Sequence, residues 1–161
     1  MSLSHLDDAG RARMVDVGGK AVTRRTAIAE GVVRMSQEAF RQVQENALAK
    51  GDVLRIAEVA AIQGGKRTAE LIPLCHALPL DQLQVTCQAD STLPGVRVTA
   101  TVGVTARTGA EMEALTAVAV ACLTVYDMVK AADRGMVIAD IRLLRKTGGA
   151  SGDWRPDAPT G

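Results

Sequence analysis

Between Ala110 and Arg134 the chain contains no glycine or proline, and this stretch constrains the fold more than any other. It is rich in Ala, Leu and Met, so one long helix over about 110–132 is expected. A helix this apolar needs a layer to lie on, and the flanking sequence supplies one. Leu83, Val85, Cys87 and Ala89 alternate with polar residues, as do Val96, Val98, Ala100, Val102 and Val104, and Leu93-Pro94-Gly95 separates the two runs. That is the pattern of an antiparallel hairpin with one buried face. Lys20 to Met35 reads as another strand with a bulge or bend at Gly31, and Met136 to Lys146 as the last.

Two further helices fall between the first strand and the hairpin. Ser36 offers an N-cap to a helix of about 36–49, striped by Phe40, Val43, Ala47 and Leu48 and stopped by Gly51. Asp52 caps the next, which carries Val53, Ile56, Val59, Ala60 and Ile62, and Gly64-Gly65 is expected to end or sharply bend it. The resulting order predicts an α+β, two-layer sandwich, an antiparallel sheet with helices on one face, close to the ferredoxin-like βαββαβ unit. With no internal repeat or linker, residues 1–161 are expected to form a single domain, with flexible termini at 1–13 and 153–161.

Composition excludes several classes of function. Nineteen Lys and Arg against eighteen Asp and Glu give a net charge of +1, so no global field favours nucleic acid or a membrane surface. Phe40, Tyr126 and Trp154 are the only aromatic residues, too few for a base-stacking platform. The longest apolar run, around Ala117 to Val125, falls short of the ~20 residues of a membrane span, and Met1 to Gly10 shows no secretory signal, so a cytoplasmic address is expected. Cys75, Cys87 and Cys122 are odd in number and lack CxxC spacing, which fits reduced thiols better than a disulfide framework or a zinc site.

Candidate chemistry concentrates in a few segments. Pro73 and Pro79 hold Leu74 to Leu78 out of helix, which puts His76 on extended or loop backbone beside Cys75. Adjacent side chains on extended backbone point apart, so a Cys–His dyad is not expected, whereas His76 alone suits acid, base or phosphate-ligand work. Asp127 and Lys130 lie three apart on the long helix and can meet on one face, among apolar neighbours that suggest partial burial. Glu111 and Glu113 fall in that helix's first turn, where carboxylates complement the macrodipole. Lys50 precedes a helix stop and a cap, while Lys66-Arg67-Thr68 and Lys146-Thr147-Gly148-Gly149 place basic residues beside glycine. Neither glycine segment has P-loop spacing.

Seven ordered segments together resemble the MoaC family over roughly Met14 to Trp154. They are Met14-Val15-Asp16-Val17, Lys50-Gly51-Asp52-Val53, Ile62-Gln63-Gly64-Gly65-Lys66-Arg67-Thr68, Leu71-Ile72-Pro73-Leu74-Cys75-His76, Thr108 to Thr116, Leu123 to Lys130, and Leu143 to Gly149. The resemblance implies conversion of 3',8-cyclo-7,8-dihydroguanosine 5'-triphosphate to cyclic pyranopterin monophosphate with release of diphosphate, a lyase step of molybdenum cofactor biosynthesis. It maps the catalytic groups onto Asp127, Lys130 and Lys50, and substrate contacts onto Leu74, Cys75, His76, Glu111, Met112 and Glu113. Lys66, Lys146 and Arg25 join as anion-site residues. A homohexamer built as a trimer of dimers and a functional link to the radical SAM enzyme MoaA are also implied. No metal cofactor is required, and Mg²⁺ is expected only on the substrate triphosphate.

Two positions depart from the family pattern: Ala77 follows the histidine where proline is usual, and Ala150 stands where lysine is expected. A non-catalytic anion-binding module would use the same cations, but it gains nothing from Asp127 beside them. Glu113 and Asp127 are about 21 Å apart along one continuous helix, at ~1.5 Å per residue, and because the resemblance assigns both to one site it implies a site shared between subunits.

Overall fold

The alternating runs resolve into one four-stranded antiparallel sheet of order β2-β3-β1-β4. In the computed structural model, which describes residues 9–150 and 152–157, the elements are β1 (Thr23–Arg34), α1 (Gln37–Gln44), α2 (Val53–Lys66), α3 (Thr68–Leu71), β2 (Gln82–Asp90), β3 (Gly95–Ala106), α4 (Glu111–Val129) and β4 (Val137–Thr147). This is the ferredoxin-like arrangement, with its first helical layer divided into three pieces. Of the termini expected to be flexible, 1–8 and 158–161 lie outside the described residues. Trp154 pairs with the end of β4 through two backbone hydrogen bonds to Lys146, 2.9 and 3.0 Å long.

One sheet face is covered by α4 and α2, and the core between them is built almost wholly of valine and alanine. Val33, Val96, Val98, Val102 and Val104 meet Ala114, Ala117, Val118, Ala121 and Val125, all with no exposed surface. Each buried valine contributes on the order of 1.5–3 kcal/mol, so a core poor in aromatics is sufficient if the layers approach closely. Gly31 shows how close they come: a Cβ there would lie 2.7 Å from Val118 Cγ1 and 3.3 Å from Cys122 Sγ. The bulge expected at this glycine is present, since the register between β1 and β4 shifts between Glu30 and Val32.

The other face is polar and cross-linked. Arg142 of β4 donates two hydrogen bonds to Glu30 of β1, and Arg97 of β3 pairs with both Glu30 and Asp90 of β2. A chain of alternating charge thus crosses all four strands. The caps also form as expected: Ser36 Oγ accepts from the Ala39 N–H at 3.3 Å, and an Asp52 carboxylate oxygen from the Arg55 N–H at 3.1 Å.

The stop expected at Gly64-Gly65 comes one residue later, at Lys66. Both glycines lie in the last turn of α2, where the neighbouring elements approach closely. A Cβ at Gly64 would sit 2.6 Å from Val120 Cγ2, and one at Gly65 would sit 2.7 Å from Leu83 Cδ2 and 3.3 Å from the Glu113 carbonyl oxygen. The glycines let α2 lie against α4. Helix α1 ends at Gln44 rather than near residue 49, with Asn46 turning the chain at a φ of 52°. On length and composition alone α4 could cross a membrane. In the fold its ten buried residues face the sheet and α2.

Candidate active site

The two ends of α4 each carry a cluster of the residues picked out from sequence. At its start, Leu74, Cys75, His76, Glu111, Met112 and Glu113 line one cavity of about 390 Å³. The loop after α3 supplies the first three, and Gly109 opens the helix that supplies the others. Lys146, near the end of β4, reaches the same place and donates to Glu111 at 3.0 Å.

Glu113 is the unusual member of this set. Only 3% of it is exposed, and its Oε2 atom has no hydrogen-bond partner among the described residues. Burial pushes its carboxyl above the ordinary range, and the neighbouring Glu111 charge pushes the same way. Burial also raises the Cys75 thiol, assisted by Glu113 and Glu111, which opposes formation of a nucleophilic thiolate. A buried carboxyl without a partner at a cavity wall has an unused hydrogen-bonding position that a polar ligand edge can fill.

At the far end, Lys130 Nζ donates to Asp127 Oδ1 at 2.7 Å, and Lys50 Nζ donates to both Asp127 Oδ2 and the Asp127 carbonyl oxygen at 2.9 Å. Hydrogen bonds from Lys130 and Lys50, with their charges, lower the Asp127 carboxyl to about 2. The partial burial expected for the pair is not found: all three side chains are about half exposed, on the outward face of a turn whose Val125, Met128 and Val129 are buried in the core.

The remaining candidates are distributed around the first cluster. Lys66 lines a smaller cavity of about 140 Å³ that shares Leu78 and Glu113 with the first. Arg25 lines a third, of about 560 Å³, with Gly149 and Ala150, and its guanidinium donates to the carbonyl oxygens of Ala106 and Arg107 at 3.2 Å. Ala77 borders the Lys66 cavity. Sequence reasoning did not select Val15, Val17, Lys20, Leu78 or Thr108 as lining residues, although Val15 and Val17 stood inside a matched segment. Within a single chain the Asp127 trio and the Glu113 cavity remain apart, at opposite ends of a continuous helix.

The sequence pattern of the MoaC family matches residues 14–149. The chain belongs to the MoaC family. Among MoaC relatives, the cyclic pyranopterin monophosphate synthase of Methylobacterium sp. (strain 4-46) is 59% identical over 156 residues, covering 97% of this chain and 98% of the relative. The synthase of the same name from Methylobacterium nodulans is 61% identical over 151 residues, with 94% of each chain covered. That of Cereibacter sphaeroides is 56% identical over 156 residues, covering 97% of this chain and 98% of its own.

Proposed function

We propose that this MoaC protein is a cyclic pyranopterin monophosphate synthase, a lyase that converts the 3',8-cyclic dihydroguanosine triphosphate to cyclic pyranopterin monophosphate and diphosphate in molybdenum cofactor biosynthesis. The observation that carries the reading is Asp127 held between Lys50 and Lys130 at 2.9 and 2.7 Å. A simple phosphate binder gains nothing from a carboxylate that neutralises its cations. A proton-transfer site does, since ring opening and pyran closure require a donor and an acceptor at fixed separation. In this reading an ammonium of the trio donates, the resulting amine takes a proton back, and Asp127 keeps both lysines in register.

The buried Glu113 carboxyl, with Leu74, Cys75, His76, Glu111 and Met112, holds the base-derived end of the substrate. Lys66, Lys146 and Arg25 stabilise the charge that grows as the phosphate cyclises and diphosphate leaves. Any Mg²⁺ is assigned to the triphosphate, where phosphate oxygens and water satisfy it. The separation of the two clusters, about 21 Å along unbroken helix, supports a site shared between subunits, with a homohexamer, a trimer of dimers, as the working form. We further assign the protein to the cytoplasm and the supply of its substrate to the radical SAM enzyme MoaA. Incubation of the purified protein with the cyclic triphosphate is expected to release one diphosphate per cyclic monophosphate formed. Failure to release diphosphate overturns the reading.

A further inference from the structure

The Asp127 trio draws on two parts of the chain that are far apart in sequence, and its geometry depends on their register. Asp127 and Lys130 stand on the last turn of α4 and at its C-cap, where the Lys130 N–H still donates to the Tyr126 carbonyl. Lys50 lies 77 residues earlier, in the connection between α1 and α2. A lysine stem is flexible, so its ammonium holds two Asp127 oxygens reproducibly only if the backbone that carries it is fixed.

Asp133 fixes that backbone from the α4 side. Its Oδ2 accepts from the N–H of Ser36, 97 residues away, at 2.8 Å, and its Oδ1 accepts from the Gly135 N–H at 2.7 Å. The first bond ties the α4–β4 connection to the N-cap of α1, and the second closes the turn that follows Lys130. The Tyr126 hydroxyl braces the same turn by donating to the Arg134 carbonyl at 3.0 Å. The N–H groups of Ser36 and Gly135 hold the Asp133 carboxyl below the usual carboxylate range, so at neutral pH both bonds are charge-assisted. Residues 36–50 are thus attached to the end of α4 twice, at their start through Asp133 and at their end through Lys50. Among the described residues Asp133 has no hydrogen bond to the trio itself, so any influence on it passes through these two backbone segments.

We propose that Asp133 is a positioning residue for the proton-transfer site: by holding the start of α1 against the turn after Lys130, it lets Lys50 and Lys130 reach Asp127 together. This rests on the synthase reading given above. The test uses full-length Asp133→Ala, Asp133→Asn, Ser36→Pro and Ser36→Ala protein. Ser36 has a φ of −63°, which proline adopts, so Ser36→Pro deletes the N–H of the tie at a compatible backbone angle. Ser36→Ala is its control, removing the capping hydroxyl and keeping the N–H. Asp133→Ala and Ser36→Pro are expected to lower kcat about tenfold or more, the cost of a misplaced catalytic group. KM should stay within about threefold, because the substrate-holding cavity is at the other end of α4. Asp133→Asn keeps one acceptor oxygen and should fall between, while Ser36→Ala should turn over nearly as the wild type does. Independently of turnover, NMR titration should find the Asp127 carboxyl raised from about 2 in Asp133→Ala and Ser36→Pro, as the Lys50 hydrogen bond is lost. Unchanged kcat in Asp133→Ala overturns the proposal, as does a kcat loss with Asp127 titrating as in the wild type, or Ser36→Ala matching Ser36→Pro. If the wild type releases no diphosphate while Asp133→Ala still raises the Asp127 carboxyl, the synthase reading fails and the tie stands.

Discussion

Glu113 and Asp127 sit on the same helix, four turns apart, and their surroundings drive them in opposite directions. Near the start of α4 the sheet, α2 and the loop after α3 enclose Glu113, which is 3% exposed and whose carboxyl burial pushes up. At the other end Val125, Met128 and Val129 face the core, and Asp127, on the outward face with a 58% exposed side chain, is brought down to about 2 by two lysines. The helix alone does not decide the chemistry of either group; the face of it on which each stands does. One end of α4 is finished within the chain, whereas the other offers a charged trio to whatever packs over it.

The largest expected effect is at the exposed end. Asp127→Ala, Lys50→Ala and Lys130→Ala should each lower turnover by ~10² to 10⁴-fold, the usual share of a proton-transfer group, with circular dichroism unchanged. Near-normal turnover of folded Asp127→Ala would remove the trio from catalysis. Because the Asp127 carboxyl is lowered, its stabilising contribution is present above the ordinary carboxylate range and is lost only as pH falls through about 2. The pH dependence of melting between pH 5 and 8 should therefore be the same in Asp127→Asn and the wild type.

A second experiment asks whether the two ends meet in one site. Equal amounts of Glu113→Ala and Asp127→Ala protein, each inactive alone, should regain about a quarter of wild-type activity once subunits exchange. Half the two-fold interfaces are then mixed, and one of the two sites in each is intact. A fully active monomer in sedimentation at assay concentration would separate the ends again.

Smaller effects sharpen the contrast in charge. Lys66→Ala and Lys146→Ala should weaken triphosphate binding by about tenfold while changing nucleoside binding little, as measured by calorimetry. Equal losses for both ligands would indicate a folding defect. The smallest effect concerns stability. The Glu113 carboxyl is raised, so the folded state favours its protonated form; that contribution is complete below the ordinary carboxylate range and is lost as pH rises through the raised value. Glu113→Gln should thus melt above the wild type at pH 7, and the gap should close on acidification. An equal or lower melting temperature at pH 7 would mean that Glu113 is paired when ionised.

Sequence made the hairpin, α4 and both helix caps legible because each rests on local signals: alternation, the absence of breakers, and an oxygen placed to accept a backbone N–H. The Asp127–Lys130 pair was legible for the same reason, being three residues apart on a helix. Lys50 reached that pair only through family resemblance, since it lies 77 residues from Asp127 in the chain. The failures have a common cause in tertiary contact. Gly64 and Gly65 read as a helix stop, which they nearly are, but not as the seats of Val120 and Leu83, and Glu113 read as a charge on the helix dipole until the sheet and α2 enclose it. Val15, Val17 and Lys20 precede the first strand, where no helical or strand pattern singles them out, and only the folded chain shows which cavity they line.

The glycine pair of α2 carries a consequence for how the substrate cavity can vary. Gly65 lies against Leu83 and the Glu113 backbone, and Lys66 follows it directly. The thickness of a single methyl group therefore sets the gap between a packing seam and the wall of the Lys66 cavity. Redesign aimed at larger ligands need not touch the chamber's own lining: a wedge at position 65 would shift its wall as a unit, as shimming a hinge moves a door without recutting it.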